Sequence, residues 1–229
     1  MKLLPFLFLF IPFNFFGADE LSCGTIECEN FKVNIYNNAE FQNGLSTYMN
    51  YCYGCHSLKY SRYKRVAEDL EIPIELYVSN LIYDDSKPGD LMQISLNKED
   101  AVNWLGAVPP DLTLEARVRK PEWIYTYLKS FYSDSSRPYG VNNLVYKNVS
   151  MPHVLEDLQN SMSENDFNKT MADLTNFLVY VSDPSARERQ QLGVYVYSFF
   201  YYLLPLLFCY TESIKRNLNK TFTDEFAQK

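Results

Sequence analysis

Two long apolar stretches frame this chain, and between them polar and apolar positions alternate in a more ordinary way. The first lies in "MKLLPFLFLFIPFNFFGADE": one positive charge at Lys2, an apolar run from Leu3 to Phe16, then Gly17 and Ala18 before the acidic Asp19 and Glu20. That run is too short for a comfortable membrane crossing and has the layout of a secretory signal peptide over residues 1–18, cleaved near Ala18. The competing reading is an uncleaved anchor; on either, the chain after residue 18 is exported. The second stretch, "LGVYVYSFFYYLLPLLFCYT", places twenty uncharged positions in a row over residues 192–211, long enough to cross a bilayer as a helix rather than to serve as a buried core helix. Pro205 is tolerable there, because neighbouring helices or a local kink can satisfy the freed carbonyl. Tyrosines gather towards the N-terminal side of the span, as interfacial aromatics do, and Lys215, Arg216 and Lys220 beyond it outnumber Arg187 and Arg189 before it. That weak bias puts the tail, residues 212–229, in the cytoplasm and the preceding domain outside.

Helical periodicity is clearest just before the span. In "SENDFNKTMADLTNFLVYVSD", Phe167, Met171, Leu174, Phe177, Leu178 and Val181 recur on one helical face, and Ser163 and Asp166 have capping-box spacing. The pattern predicts a core helix and assigns Met171 to the core.

Composition narrows the class. At 229 residues, with 47% hydrophobic content, only 8 glycines and no internal repeat, the chain is neither disordered nor low-complexity, and it can bury one sizeable core beside an anchor. Residues 19–191 carry 16 of the 21 basic and 25 of the 28 acidic residues, a net charge of −9. Such a field argues against a nucleic-acid partner and for encounter with a basic protein.

The chemistry concentrates in "NYCYGCHSLKYSRY", which holds Cys52 and Cys55 of only five cysteines and His56 of only two histidines. From composition alone, a Cys-x-x-Cys-His match is expected about 0.001 times in such a chain. Two thiols three residues apart on a helical turn can each add to one vinyl group of a haem, and the adjacent imidazole can then serve as proximal iron ligand. Such attachment is made outside the cytoplasm, where the signal peptide sends the chain. A four-thiolate zinc site with Cys23 and Cys28 leaves His56 unexplained, and a thioredoxin-like dithiol lacks its βαβ context. Covalent haem c is the reading that accounts for all three residues. Cys23 and Cys28 are then candidates for a small disulfide in an oxidising compartment, and Cys209 reads as an apolar filler of the span.

A sixth ligand is expected to be Met or a second His, and the choice sets the potential. His153 is the only other histidine. Met49 lies too close to the attachment site to reach the opposite haem face, and Met162 and Met171 belong in or beside the predicted helix. Met151, in the loop-like "YKNVSMPHV", is followed by Pro152, which restricts and stiffens the segment. The residues alone leave Met151 and His153 both open, with Met151 the better candidate.

Several segments, taken in order, resemble the cytochrome c1 family of proteobacteria: "YMNYCYGCHSLKYSRY", "VPPDLTLEARVR", "WIYTYLKSFYSDSSRPYGVNN", "VSMPHVLEDLQ" and "LTNFLVYVSDPSARERQQLG", followed by the C-terminal span. The resemblance runs from about residue 40 to residue 210 and covers most of the exported chain. It implies a mostly α, cytochrome c-like haem domain with insertions plus one C-terminal transmembrane helix. It also implies thioether attachment at Cys52 and Cys55, with His56 as proximal and Met151 as distal ligand. By the same analogy, the Pro110 carbonyl orients the imidazole and Arg119 lies near a haem propionate. The Cys23 and Cys28 pair, and Glu156 where many relatives carry a bulky aromatic, depart from the family pattern.

The function implied is electron transfer within ubiquinol–cytochrome c oxidoreductase, the bc1 complex. The chain would accept one electron from the Rieske iron–sulfur protein, beside cytochrome b in a dimeric complex of the bacterial inner membrane, and pass it to a basic cytochrome c on the periplasmic side. As an isolated chain it needs no acid–base pair, and the residue set offers none. Two alternatives are a free-standing membrane-anchored c-type carrier and a haem c peroxidase-like enzyme with an open distal side near His153.

Overall fold

The computed structural model describes residues 22–227, with side chains described to residue 220; the expected signal peptide, residues 1–18, lies outside the described residues. The order of elements is α1 Asn38–Tyr51, β1 Leu58–Arg62, α2 Tyr63–Asp69, α3 Ile74–Leu81, β2 Leu91–Met92, α4 Lys98–Leu105, α5 Glu115–Val118 and α6 Pro121–Lys129. β3 Phe131–Ser133, β4 Val141–Asn143, α7 Glu156–Ser161, α8 Glu164–Ser182 and α9 Ala186–Ala227 follow. The fold is mostly helical. Its strands form only two small antiparallel pairs, β1 with β2 and β3 with β4.

Two long helices build the core. α8 starts where the sequence pattern places it: Ser163 Oγ accepts from the Asp166 amide at 3.2 Å and donates to the Asp166 carboxylate at 2.7 Å, satisfying a backbone donor that the first helical turn leaves bare. α1 is capped in the same way, with the Asn37 side chain accepting from the Ala39 amide. The two helices pack face to face, and α8 also carries α5, α6 and α7. Tyr48 and Phe177 meet with ring centroids 5.7 Å apart, and Phe41 lies against Tyr180 at 5.4 Å. Leu45, Met171, Leu174 and Phe177 are fully buried. The close approach depends on Gly44: a Cβ there would lie 2.2 Å from the Asp173 carbonyl oxygen and 2.6 Å from Phe177 Cβ. Polar groups at this interface are paired, Asn43 donating to Asp173 at 3.0 Å and Asn176 to Glu40 at 2.8 Å. That pairing offsets the cost of burying them.

α9 is a single helix of 42 residues with Pro205 inside it. Its apolar stretch is long enough to cross a membrane, and none of that stretch is buried against the rest of the chain. At 1.5 Å per residue the helix is roughly 63 Å long, about twice the hydrocarbon thickness of a bilayer. It therefore extends well beyond the 192–211 stretch at both ends. Arg189 near its start is held by Asp183, with Nη1 on Oδ1 at 2.9 Å and Nη2 on Oδ2 at 2.6 Å. This ion pair ties the anchor helix to the end of α8.

Candidate haem site

The Cys-x-x-Cys-His segment continues from the end of α1. The Cys52 amide still donates to the Tyr48 carbonyl at 2.8 Å, and the Cys55 and His56 amides both turn back to the Cys52 carbonyl, at 3.1 and 2.9 Å. The two thiols therefore leave one tight turn and are followed at once by the imidazole, the arrangement that attachment of a planar group through two points requires. Both thiols are free, Cys52 buried and Cys55 half-buried. Burial pushes the Cys52 thiol up to about 12, far from the low-pKa thiolate of a redox dithiol.

His56 is buried, and its orientation is fixed from three sides. Nδ1 lies 2.7 Å from the Pro110 carbonyl oxygen. A carbonyl can only accept, so Nδ1 carries the proton and the lone pair sits on Nε2. Among the described residues, the hydrogen bond seen on the ring is the one at Nδ1. The Tyr48 hydroxyl donates to the His56 carbonyl. The 110–112 loop is fastened beside it: the Leu112 amide donates to the Ser57 carbonyl at 3.0 Å, and the Lys59 amide to the Asp111 carboxylate at 2.8 Å. Burial lowers the His56 pKa, opposed by the Pro110 carbonyl and the Asp111 charge. Burial thus favours the neutral ring, the form that could bind a metal through Nε2.

Met151 lies half-buried in the loop after β4. Its Sδ accepts a hydrogen bond from the Tyr127 hydroxyl of α6 at 3.4 Å. His153 is committed elsewhere. Its Nε2 pairs with Gln159 Oε1 at 2.7 Å, its ring stacks flat on Phe131 with centroids 4.7 Å apart, and its Nδ1 has no accessible surface. One ring nitrogen is thus paired and the other buried. Arg119 is partly exposed; its guanidinium lies 4.8 Å from the Trp123 ring centroid and 5.9 Å from that of Tyr146, with Glu115 3.7 Å from Nε.

Cys23 and Cys28 are joined in a disulfide, which removes them from any four-thiolate site. Among the described residues, no group of three or more His, Cys, Asp or Glu side chains gathers as a metal site. Two thiols, a tautomer-fixed imidazole and a thioether fit a haem c and do not fit a bare metal ion. Sequence reasoning missed the residues that hold these groups: Tyr48, Tyr127, and the Asn142–Asn143 pair that shapes the methionine loop. Their only signal was membership in segments quoted for the family resemblance.

Fold and site together define a membrane-anchored c-type cytochrome. Residues 29–218 match the Cytochrome C1 family. The chain is 41% identical over 214 residues to "Cytochrome c1" of Allochromatium vinosum, covering 82% of this chain and 88% of that protein. It is also 31% identical over 236 residues to a protein of Nitrosomonas europaea named "Ammonia monooxygenase gamma subunit", covering 96% of this chain and all of that protein. The chain belongs to the cytochrome c1 family, and with it to the haem c proteins that carry electrons at a membrane.

Proposed function

We propose that the chain is the haem c subunit of a cytochrome bc1 complex, taking one electron at a time from a Rieske iron–sulfur protein and handing it to a soluble or tethered cytochrome c. Cys52 and Cys55 attach the haem, His56 is the proximal ligand and Met151 the distal one, and Arg119 serves a propionate. The observation that carries this reading is the Nδ1–Pro110 hydrogen bond, which places the proton on Nδ1 and leaves the Nε2 lone pair able to meet an iron. When bound, the haem supplies a one-electron couple. The chain's own residues orient its ligands, the Pro110 carbonyl at the His56 ring and the Tyr127 hydroxyl at the Met151 sulfur. No bond is made or broken in the transfer, so no general acid or base is required. The haem domain, residues 19–191, faces the periplasm; residues 192–211 cross the inner membrane; residues 212–229 lie on the cytoplasmic side. The complex is expected to be dimeric.

The first test is purification from detergent-solubilised membranes through a tag on this chain. Both b-type and c-type bands in the reduced-minus-oxidised spectrum, together with a Rieske subunit, are the expected result. A c-type band alone would instead support a free-standing carrier.

The net charge of −9 on residues 19–191 supports docking to a basic acceptor. The rate of acceptor reduction should fall as ionic strength rises, because surface charge is screened within about 10 Å at 0.1 M salt. A rate that does not change with salt contradicts a charge-guided encounter.

Tyr127 adds a third expectation. Its hydroxyl withdraws electron density from the Met151 sulfur, which weakens thioether donation and disfavours the ferric state. Tyr127→Phe should therefore lower the midpoint potential in a redox titration, with the c-type spectrum preserved. An unchanged or higher potential would show that this hydrogen bond does not tune the couple.

A further inference from the structure

The Cys23–Cys28 disulfide lies outside the haem-attachment segment, yet it closes a turn that sits on the segment leading to Met151. Cys23 is buried, and Ile26 bonds back to it across the turn. Gly24 occupies the left-handed region at φ 68°, and a Cβ there would lie 2.4 Å from the Val145 carbonyl oxygen and 2.8 Å from that of Leu144. Thr25 donates twice to the Leu144 carbonyl, from its amide at 3.3 Å and its hydroxyl at 3.0 Å. The chain then crosses α6: the Glu29 amide donates to Thr126 Oγ1 at 2.9 Å, Lys129 pairs with the Glu29 carboxylate, and Phe31 packs on Tyr125 with centroids 5.1 Å apart. α6 is the helix whose Tyr127 donates to Met151 Sδ.

The opposite side of the same segment is held from within. Asn143 Oδ1 accepts from the Val145 and Tyr146 amides, Asn142 Oδ1 from the Asn148 amide, and Arg137 donates to the Asn148 and Val149 carbonyls. Residues 144–149 are thus clamped between the asparagine pair with Arg137 on one side and the disulfide-closed turn on the other.

We propose that the Cys23–Cys28 turn is a positioning element for Met151, bracing the 144–150 segment so that a weak thioether ligand stays on the iron. This rests on the reading of Met151 as distal ligand. Closing the turn covalently removes alternatives from the free chain and so favours the arrangement in which Gly24 and Thr25 meet Leu144 and Val145. A ligand held through so few covalent links needs a supporting shell that does not move.

The test uses the full-length membrane protein in detergent, as the wild type, as Cys23→Ser/Cys28→Ser, and as Gly24→Ala. The last variant keeps the disulfide but drives the turn off Leu144 and Val145. Two quantities are read: hydrogen exchange at the Leu144, Val145, Tyr146 and Asn148 amides, and the rate at which the ferrous haem binds carbon monoxide, which requires Met151 to leave. In both variants, exchange at those four amides and the carbon monoxide rate should each rise about tenfold, a loss of about 1.4 kcal/mol of local closure, while amides of α1 and α8 keep their protection. Unchanged exchange over 144–148 overturns the brace whatever the haem does. Equal acceleration in α1 and α8 also overturns it, by showing a general loss of stability. A wild-type protein that already binds carbon monoxide as fast as a Met151→Leu variant overturns the ligand reading beneath the proposal, and does so before any cysteine is changed.

Discussion

Gly44→Ala should leave almost no folded, haem-bearing protein in the membrane. The added methyl group would meet the Asp173 carbonyl oxygen at 2.2 Å and Phe177 Cβ at 2.6 Å. These are a backbone atom and the root of a fully buried ring, neither of which can swing aside. Ordinary overpacking costs about 1–3 kcal/mol, and this contact is tighter than most, because relief requires α1 and α8 to separate along their whole interface. The net stability of a domain is only about 5–15 kcal/mol. Parting the helices would also disturb the Tyr48–Phe177 contact and the Asn43–Asp173 pair. Ser46→Ala, on the exposed face of the same helix, is the control. Comparing haem-stained protein and thermal unfolding for the two variants measures the effect; comparable yields and melting temperatures would show that the helices do not depend on this close approach.

The second large effect is expected at Met151, the proposed distal ligand. Met151→Leu keeps the size and apolar character of the side chain but removes the sulfur, so the fold and the covalent haem should persist. The iron then loses its sixth ligand. Carbon monoxide should bind the reduced protein readily, and the midpoint potential should fall, because a thioether favours the ferrous state. Reduction of the haem by its electron donor should slow, because a lower midpoint potential removes driving force from that step, while onward transfer to the acceptor loses none. His153→Ala provides the contrast: with its Nε2 on Gln159 and its ring on Phe131, its loss should loosen the loop without opening the iron. Carbon monoxide binding in His153→Ala but not in Met151→Leu would reverse the assignment.

These expectations rest on parts of the molecule that were unequally legible beforehand. α8 could be read directly, since its cap and its apolar face are local and regular, and Ser163 and Met171 do what the pattern predicts. The membrane helix was also clear, though hydropathy reports only its apolar stretch. The charged residues on either side are good helix formers, so α9 runs on where the 192–211 boundary stops. α1 gave little sign of itself. Gln42, Asn43, Gly44, Ser46 and Thr47 dilute its apolar face, and what holds it is the packing of Gly44, Leu45 and Tyr48 on a helix more than a hundred residues away.

The haem site divides along the same line. Cys52, Cys55 and His56 are contiguous, so their chemistry is written in one short motif. The Pro110 contact spans 54 residues and was reached only through the family resemblance. Tyr127 reaches Met151 from a different helix, and no periodicity or spacing foretells a tyrosine hydroxyl on a sulfur. The disulfide was an open question for the same reason: sequence gives the two cysteines, and only the fold gives the Leu144–Val145 surface on which their turn rests.

The most direct test of the central claim is an optical spectrum of the purified full-length protein, reduced under argon and then exposed to carbon monoxide. A covalently bound c-type haem whose ferrous spectrum does not change on adding the gas is the predicted result, with His56 and Met151 both on the iron. A haem that binds carbon monoxide at once, or one that can be extracted into acidified organic solvent, would contradict the account at the distal ligand or at the cysteines respectively.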